Sequence, residues 1–154
     1  MPRPKGKGWF STMLFGKKTR RIVRLLIVED EPLVAFDTEH FLRDEAFEIV
    51  ATVDRVAHAM AAIEGEEEID LLLVDVNLAD GSGLDVARVA HGVGIPVIFV
   101  TGECPIGASE VAVGCLSKPY AQKSLLGAIA AVEGMLDGKP PKRLPSGFNL
   151  FETA

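Results

Sequence analysis

Arg24-Leu25-Leu26-Ile27-Val28-Glu29-Asp30-Glu31-Pro32 joins an unbroken apolar run to three acids and a proline. Residues 24–28 are too few for a helix and show no polar alternation. Such a run is read as a strand buried on both faces, the habit of parallel sheets. Pro32 then suits a first helical turn, where its missing N–H costs nothing. A helix is expected from Pro32 to about Glu45, with Val34, Phe41 and Leu42 at core-facing spacing.

Working outward, the pattern repeats. Phe47 to Val53 reads as a second strand and Val56 to Ile63 as a helix. Asp70 to Val74 is a third strand, followed by the Asp80-Gly81-Ser82-Gly83 turn and a helix from Leu84 to about His91. Pro96 to Val100 and Val113 to Leu116 are the fourth and fifth strands, and Ala121 to Leu136 is the last helix. Strands alternating with helices predict right-handed βαβ units and a parallel sheet covered on both faces. The expectation is a flavodoxin-like, doubly wound, five-stranded α/β fold with strand order 2-1-3-4-5. Residues 102–113 hold Gly102, Pro105 and Gly107, so the fourth helix is expected to be short or irregular. In such sheets the site lies beyond the carboxyl ends of the strands, beside the point where the order reverses.

Charge divides the chain. Residues 1–21 hold Arg3, Lys5, Lys7, Lys17, Lys18, Arg20 and Arg21 and no acid, while the whole chain is −6; residues 22–154 are therefore −13 (−6 less 7). An acidic body argues against nucleic acid as the main partner. No apolar stretch is long enough for a membrane span, and no secretory signal follows the basic start, so a cytoplasmic location is expected. The expected division is a basic tail at 1–21, a globular domain at 22–137 and a Pro/Gly-containing tail at 138–154. Trp9, Phe10, Met13, Leu14 and Phe15 among the N-terminal bases suit an anionic membrane surface or a partner groove, although a disordered extension is the simpler reading. Cys104 and Cys115 are too few for a disulfide framework and read as reduced thiols; both fall in the same late region, which leaves a regulatory disulfide open. His40, His58 and His91 show no metal-ligand spacing.

The strand ends carry the chemistry. Glu29, Asp30 and Glu31 follow the first strand, Asp75 the third, Thr101 the fourth, and Lys118-Pro119 the fifth. A carboxylate attacking phosphorus meets a group of its own charge. A hard divalent cation such as Mg²⁺ relieves the repulsion by taking oxygens from both, and Glu29, Asp30 and Asp75 are suitable anchors. Lys118 can neutralise a phosphoryl oxygen, Thr101 can donate a hydrogen bond to another, and Asp75 is the nucleophile. Taken singly, each has an ordinary explanation as a cap, turn or solvated residue. Their joint placement at one sheet edge is the signal.

This set resembles the receiver domain of two-component response regulators over residues 24–137. The resemblance rests on Glu29-Asp30-Glu31 before Pro32, Asp75-Val76-Asn77-Leu78 with Gly83 downstream, Thr101-Gly102, and Lys118-Pro119. It implies that Asp75 accepts a phosphoryl group from a sensor histidine kinase or a histidine phosphotransfer protein. It implies further that Glu29, Asp30, Asp75 and the backbone carbonyl of Asn77 hold Mg²⁺, that Thr101 and Lys118 bind phosphoryl oxygens, and that the bond before Pro119 is cis. Asn77 and Glu103 occupy positions that flank the water hydrolysing the acyl phosphate, and a polar pair there implies short phosphorylated lifetimes. Phe99-Val100-Thr101-Gly102 is similar to the Phe-Ala-Thr-Gly signature of an alphaproteobacterial single-domain subclass, with Val100 in place of alanine.

The sequence also departs from the family. Cys115 stands where receivers usually carry an aromatic switch residue, and Tyr120 lies two beyond the lysine instead, in a Lys-Pro-aromatic segment that is common in the family. The 102–113 segment is expected to order on phosphorylation. A phosphoacceptor switch without an output domain is the leading expectation, acting on an unknown downstream protein or as a phosphorelay shuttle or sink. It is expected to be no enzyme beyond its own phosphorylation and dephosphorylation. The competing classes are a receiver-like interaction module that is never phosphorylated and, more remotely, a Mg²⁺-dependent phosphatase of the haloacid-dehalogenase type. The latter needs Asp-x-Asp after its first strand, where this chain has Glu29-Asp30-Glu31.

Overall fold

The computed structural model describes residues 20–151. The elements run β1 (Arg24–Val28), α1 (Pro32–Asp44), β2 (Glu48–Val53), α2 (Val56–Glu64), β3 (Leu71–Val74), β4 (Asn77–Leu78), β5 (Gly81–Ser82), α3 (Gly83–Gly92), β6 (Val97–Thr101), a 3₁₀ turn (Ala108–Glu110), β7 (Gly114–Ser117), α4 (Gln122–Leu136) and β8 (Phe148–Leu150). The main sheet has the order β2-β1-β3-β6-β7-β8, and β4 pairs with β5 in a separate two-stranded ribbon. Five strands are parallel in the expected order, with β6 and β7 as fourth and fifth.

Alternation along each strand builds two cores. Leu25 and Ile27 of β1, Leu71 and Leu73 of β3, and Ile98 and Val100 of β6 face α1 and α4, meeting Leu42, Leu125 and Ile129. The intervening Leu26, Val28, Leu72, Val74, Val97 and Phe99 face α2 and α3, meeting Ala59, Val86 and Ala90. A strand coated on both sides must be apolar at every position, which is why residues 25–28 and 71–74 read as unbroken runs.

Two expectations about the tails change. Residues 138–154 read as irregular, yet β8 lies within them and adds an antiparallel sixth strand against β7. Phe148 is 5% exposed and belongs to the α1/α4 core. Its ring occupies the space above Gly114, where a Cβ would come within 2.6 Å of it. Burial of that ring outweighs the turn chemistry of Pro145 and Gly147 around it. The N-terminal basic tail lies outside the described residues except at its end. There Arg20 donates to the Glu45 carbonyl at 2.7 Å and stacks 4.2 Å over the Phe47 ring, and Arg21 pairs with Asp137 at 2.8 Å. These two bases are docked on the body rather than belonging to a tail. As expected, the stretch after Thr101 carries only the single 3₁₀ turn at Ala108–Glu110 in place of a full helix.

Candidate functional site

Backbone bonds that continue the sheet ladder fix the site residues. Glu29 donates its N–H to the Val53 carbonyl at 2.9 Å, Asp75 to Val28 at 2.8 Å, and Lys118 to Thr101 at 2.9 Å. Each residue therefore leaves its strand held by the neighbouring one, and β1, β3, β6 and β7 deliver Glu29, Asp75, Thr101 and Lys118 to the same edge. The Lys118–Pro119 peptide is cis.

Glu29 is 6%, Asp75 7% and Thr101 3% exposed, values low enough that the two carboxylates need partners. Lys118 supplies one for both: its Nζ donates to Glu29 Oε1 at 2.6 Å and to Asp75 Oδ2 at 3.0 Å. Backbone donors take the remaining oxygens, Glu31 N–H to Glu29 Oε2 at 3.1 Å and Asn77 N–H to Asp75 Oδ1 at 3.2 Å. Asp30 is more open to solvent. One oxygen from each of Glu29, Asp30 and Asp75 falls within 4.8 Å of the others, an all-oxygen cluster of the kind that hard divalent cations take.

Burial pushes the Glu29 carboxyl up, and the hydrogen bonds from Lys118 and the Glu31 N–H only partly offset it. Burial pulls Lys118 down, but the carboxylates of Glu29 and Asp75 outweigh it and raise its pKa. Both groups thus hold protons more tightly than usual, as expected for acids that outnumber bases in a partly dry site. The excess negative potential that retains a proton equally attracts a metal cation.

Support comes from the ribbon that follows Asp75. Gly83 donates to the Val76 carbonyl at 2.7 Å, and a Cβ on it would stand 2.1 Å from the Asp75 carbonyl oxygen. Only glycine lets α3 begin so close to the backbone of Asp75. Ser82 caps that helix by accepting from Leu84 N–H at 3.1 Å. The Ser82-Gly83-Leu84-Asp85 order carried this start signal in the sequence. Asp80 reaches across to α2, where its carboxylate accepts from the Val56 and Ala57 N–H groups. Partial desolvation pushes Asp80 up, and those backbone donors outweigh it, so its pKa is lowered. This cap has no local sequence signal, because its partners lie 24 and 23 residues upstream.

Asn77 and Glu103 are both exposed. Tyr120, two residues beyond Lys118, bonds through its hydroxyl to Thr38 of α1 at 3.1 Å. It also lines a cavity of about 450 Å³ with Val34, Phe41, Leu125 and Lys118.

The response regulator receiver domain model matches residues 25–130, a span that includes Glu29, Asp75, Thr101 and Lys118. The chain belongs to the response-regulator receiver family. It is 28% identical over 130 residues to the DNA-binding response regulator MtrA of Mycolicibacterium smegmatis, covering 80% of this chain and 56% of that protein. It is 34% identical over 79 residues to the phyllosphere-induced regulator PhyR of Methylorubrum extorquens, covering 50% of this chain and 30% of that one. The chain thus spans about half or less of the curated relatives it matches. A CheY-like receiver domain structure from Methanospirillum hungatei superposes with a TM-score of 0.65 at 27% identity, covering 77% of this receiver and 96% of the other. Receivers are phosphoacceptor switches of two-component systems, accepting phosphoryl groups from histidine kinases. Among the described residues of this receiver, no helix is long and apolar enough to cross a membrane.

Proposed function

We propose that this receiver takes a phosphoryl group from the phosphohistidine of a sensor kinase, or of a histidine phosphotransfer protein, onto Asp75. The observation that carries this reading is one buried carboxylate shared between an ammonium at 3.0 Å and two further acids within 4.8 Å. An Asp75 oxygen attacks phosphorus, the P–N bond breaks, and its electron pair returns to the imidazole. Glu29, Asp30, Asp75 and the Asn77 carbonyl would hold Mg²⁺, which lends positive charge to the phosphoryl oxygens. Lys118 moves from neutralising carboxylates to neutralising the new phosphoryl group, and the Thr101 hydroxyl donates to it. Asn77 and Glu103 flank the water that later hydrolyses the product.

Beside the site, Leu33 and Phe36 of α1 are 79% and 60% exposed. That apolar face adjoins the cavity next to Lys118 and supports docking of a protein donor. The acidic body supports a protein partner rather than nucleic acid. Donation by a kinase's catalytic region puts the reaction in the cytoplasm. We assign the output to docking on a downstream protein or to phosphoryl shuttling, with residues 102–113 ordering on phosphorylation; the similarity of Phe99-Val100-Thr101-Gly102 to the Phe-Ala-Thr-Gly signature supports this reading.

The test is phosphotransfer from candidate kinases to wild type and Asp75→Ala, with and without Mg²⁺. Label confined to wild type, dependent on Mg²⁺ and released by hydroxylamine, is expected. Equal labelling of Asp75→Ala would overturn the assignment.

A further inference from the structure

The turn from β7 into α4 carries Lys118 and is held by few bonds. Lys118 donates its N–H to the Thr101 carbonyl at 2.9 Å. Pro119 is exposed and has no N–H to give, and Ala121 caps α4 without a side-chain bond. Among the described residues, the one side-chain hydrogen bond from residues 119–121 to another element joins the Tyr120 and Thr38 hydroxyls at 3.1 Å. The Tyr120 ring is half-buried and packs on the α1/α4 core. With Thr38 and Leu125 it lines two spaces at once: the open cavity of about 450 Å³, and a pocket of about 10 Å³ that Glu29 and Asp75 also line. The bonded pair is thus part of the wall between that cavity and the buried acids.

A closed circuit of contacts results. Glu29 Oε2 accepts from the Glu31 N–H at 3.1 Å, and Glu31 leads directly into α1. α1 carries Thr38, Thr38 bonds Tyr120, and two residues back Lys118 returns to Glu29 Oε1 at 2.6 Å. If the ammonium leaves Glu29, the Tyr120–Thr38 bond is the hydrogen bond that still ties the lysine turn to α1. We propose that Tyr120 is a positioning residue: bonded to Thr38, it holds the Lys118 turn against α1, so that the ammonium passes from Glu29 to a phosphoryl group on Asp75 without leaving the site. That passage rests on the proposed function; the hold on Lys118 does not.

A lysine ammonium sits on a flexible four-carbon stem, so the backbone beneath it decides where the charge can reach. Charge developing on phosphoryl oxygens is neutralised only by a group already in place, and a small displacement of that group costs rate. Tyr120 touches no reacting atom and acts through Lys118. Its loss therefore lowers the maximal rate and leaves donor binding alone. The two hydroxyls work as one unit, so removing either removes the whole effect.

The experiment makes Tyr120→Phe, Thr38→Val, Thr38→Ser and the Tyr120→Phe/Thr38→Val pair in the full chain, and follows phosphorylation of Asp75 by acetyl phosphate in Mg²⁺. The maximal rate should fall about three- to tenfold in Tyr120→Phe and in Thr38→Val, the scale of one net hydrogen bond. The half-saturating donor concentration should not change. Thr38→Ser keeps the hydroxyl and should react like wild type, and the double variant should be no slower than either single one. A wild-type maximal rate in Tyr120→Phe, whatever its Tm, would overturn the proposal. So would losses that multiply in the double variant, or Thr38→Ser as slow as Thr38→Val. Failure of wild type to take phosphoryl at all would instead count against the function proposed above. The Lys118 Nζ resonance of the unmodified protein then decides the hold: its protons should exchange with water several-fold faster in Tyr120→Phe, and an unchanged exchange rate would overturn it.

Discussion

Lys118 Nζ stands closer to Glu29, at 2.6 Å, than to Asp75, at 3.0 Å. In the unmodified protein the lysine is therefore the counter-charge of two buried acids, held most tightly by the one that is not the proposed nucleophile. Its bond to Asp75 is the longer of the pair. A phosphoryl group on Asp75 would bring more negative charge to that side and compete with Glu29 for the ammonium.

Replacing Lys118 with Met leaves two buried carboxylates and Asp30 with no cation among them. Removing one partner of a buried pair costs roughly 3–5 kcal/mol. Lys118 keeps 19% of its side chain in solvent, so the loss should fall at about 2–3 kcal/mol. Urea midpoints in EDTA and in Mg²⁺ measure it. The cation should recover part of the loss, because the remaining oxygens bind it more tightly. A midpoint unchanged in EDTA would mean that the lysine does not hold the site together.

Glu29 contributes to the pH response of the metal-free protein. Its pKa is raised in the folded state, by burial above all. A raised folded value gives a contribution that is fully present below the ordinary value of 4.5 and is lost as pH rises through the folded value. Glu29→Gln removes that loss. The variant should gain stability over wild type as pH rises from about 4 to 7 without divalent cations, while binding Mg²⁺ more weakly. Parallel stability–pH curves for the two proteins would show that Glu29 is not the group responsible.

Gly83→Ala tests the contact beneath Asp75. The new Cβ would meet the Asp75 carbonyl oxygen at 2.1 Å and a Val74 methyl at 2.8 Å, so backbone must shift. Overpacking of this kind costs about 1–3 kcal/mol or more, and phosphorylation should fall with it as Asp75 moves. Gly102→Ala is the control, since nothing lies within 4 Å of its Cβ position. It should stay within about 0.5 kcal/mol of wild type. Equal effects at the two glycines in thermal melts would contradict the packing argument.

Asn77 and Glu103 are exposed on the segments that follow Asp75 and Thr101. Asn77→Arg and Glu103→Leu remove polar groups suited to orienting water, so the phosphorylated form should persist several-fold longer in each, on the scale of general acid–base effects or below. Decay of labelled protein after donor removal gives the rate, and unchanged decay in both variants would remove the idea.

Residues 24–32 made the fold legible because a strand coated on both faces leaves no polar position, and Leu25 to Val28 show none. The same logic located Leu71–Val74 and Val97–Thr101, and the acids, Thr101 and Lys118 stood where those runs stopped. What stayed hidden was pairwise. Phe148 has its reason in the missing side chain of Gly114, far upstream, and three residues give β8 no period of their own. The ribbon of Asn77–Leu78 and Gly81–Ser82 is shorter still. Tyr120 could be seen to follow Lys118-Pro119, but its bond to Thr38 depends on how α1 packs. Local patterns report which face of an element is covered; they do not report which distant residue covers it.

Asp80 ties the ribbon that follows Asp75 to the first turn of α2, whose own N-cap, Arg55, contributes no side-chain bond. The folded pKa of Asp80 is depressed below 3.8. A depressed carboxyl contributes stability that is present above its unfolded value and is lost as pH falls through the folded one. Asp80→Ala should therefore lower the Tm at pH 6, and the gap from wild type should close once both are titrated below 3.8 and through the depressed folded value, as the wild-type carboxylate gains its proton. Because Asn77 donates to Asp75 Oδ1 from the same ribbon, the variant should also weaken Mg²⁺ binding at pH 7. Heteronuclear spectra make the cause visible: the Val56 and Ala57 amide shifts of wild type should titrate in acid and those of the variant should not. A Tm gap that stays constant from pH 6 down through protonation of the wild-type carboxylate, as the Val56 and Ala57 amide shifts report it, would place the effect of the substitution somewhere other than the capping carboxylate.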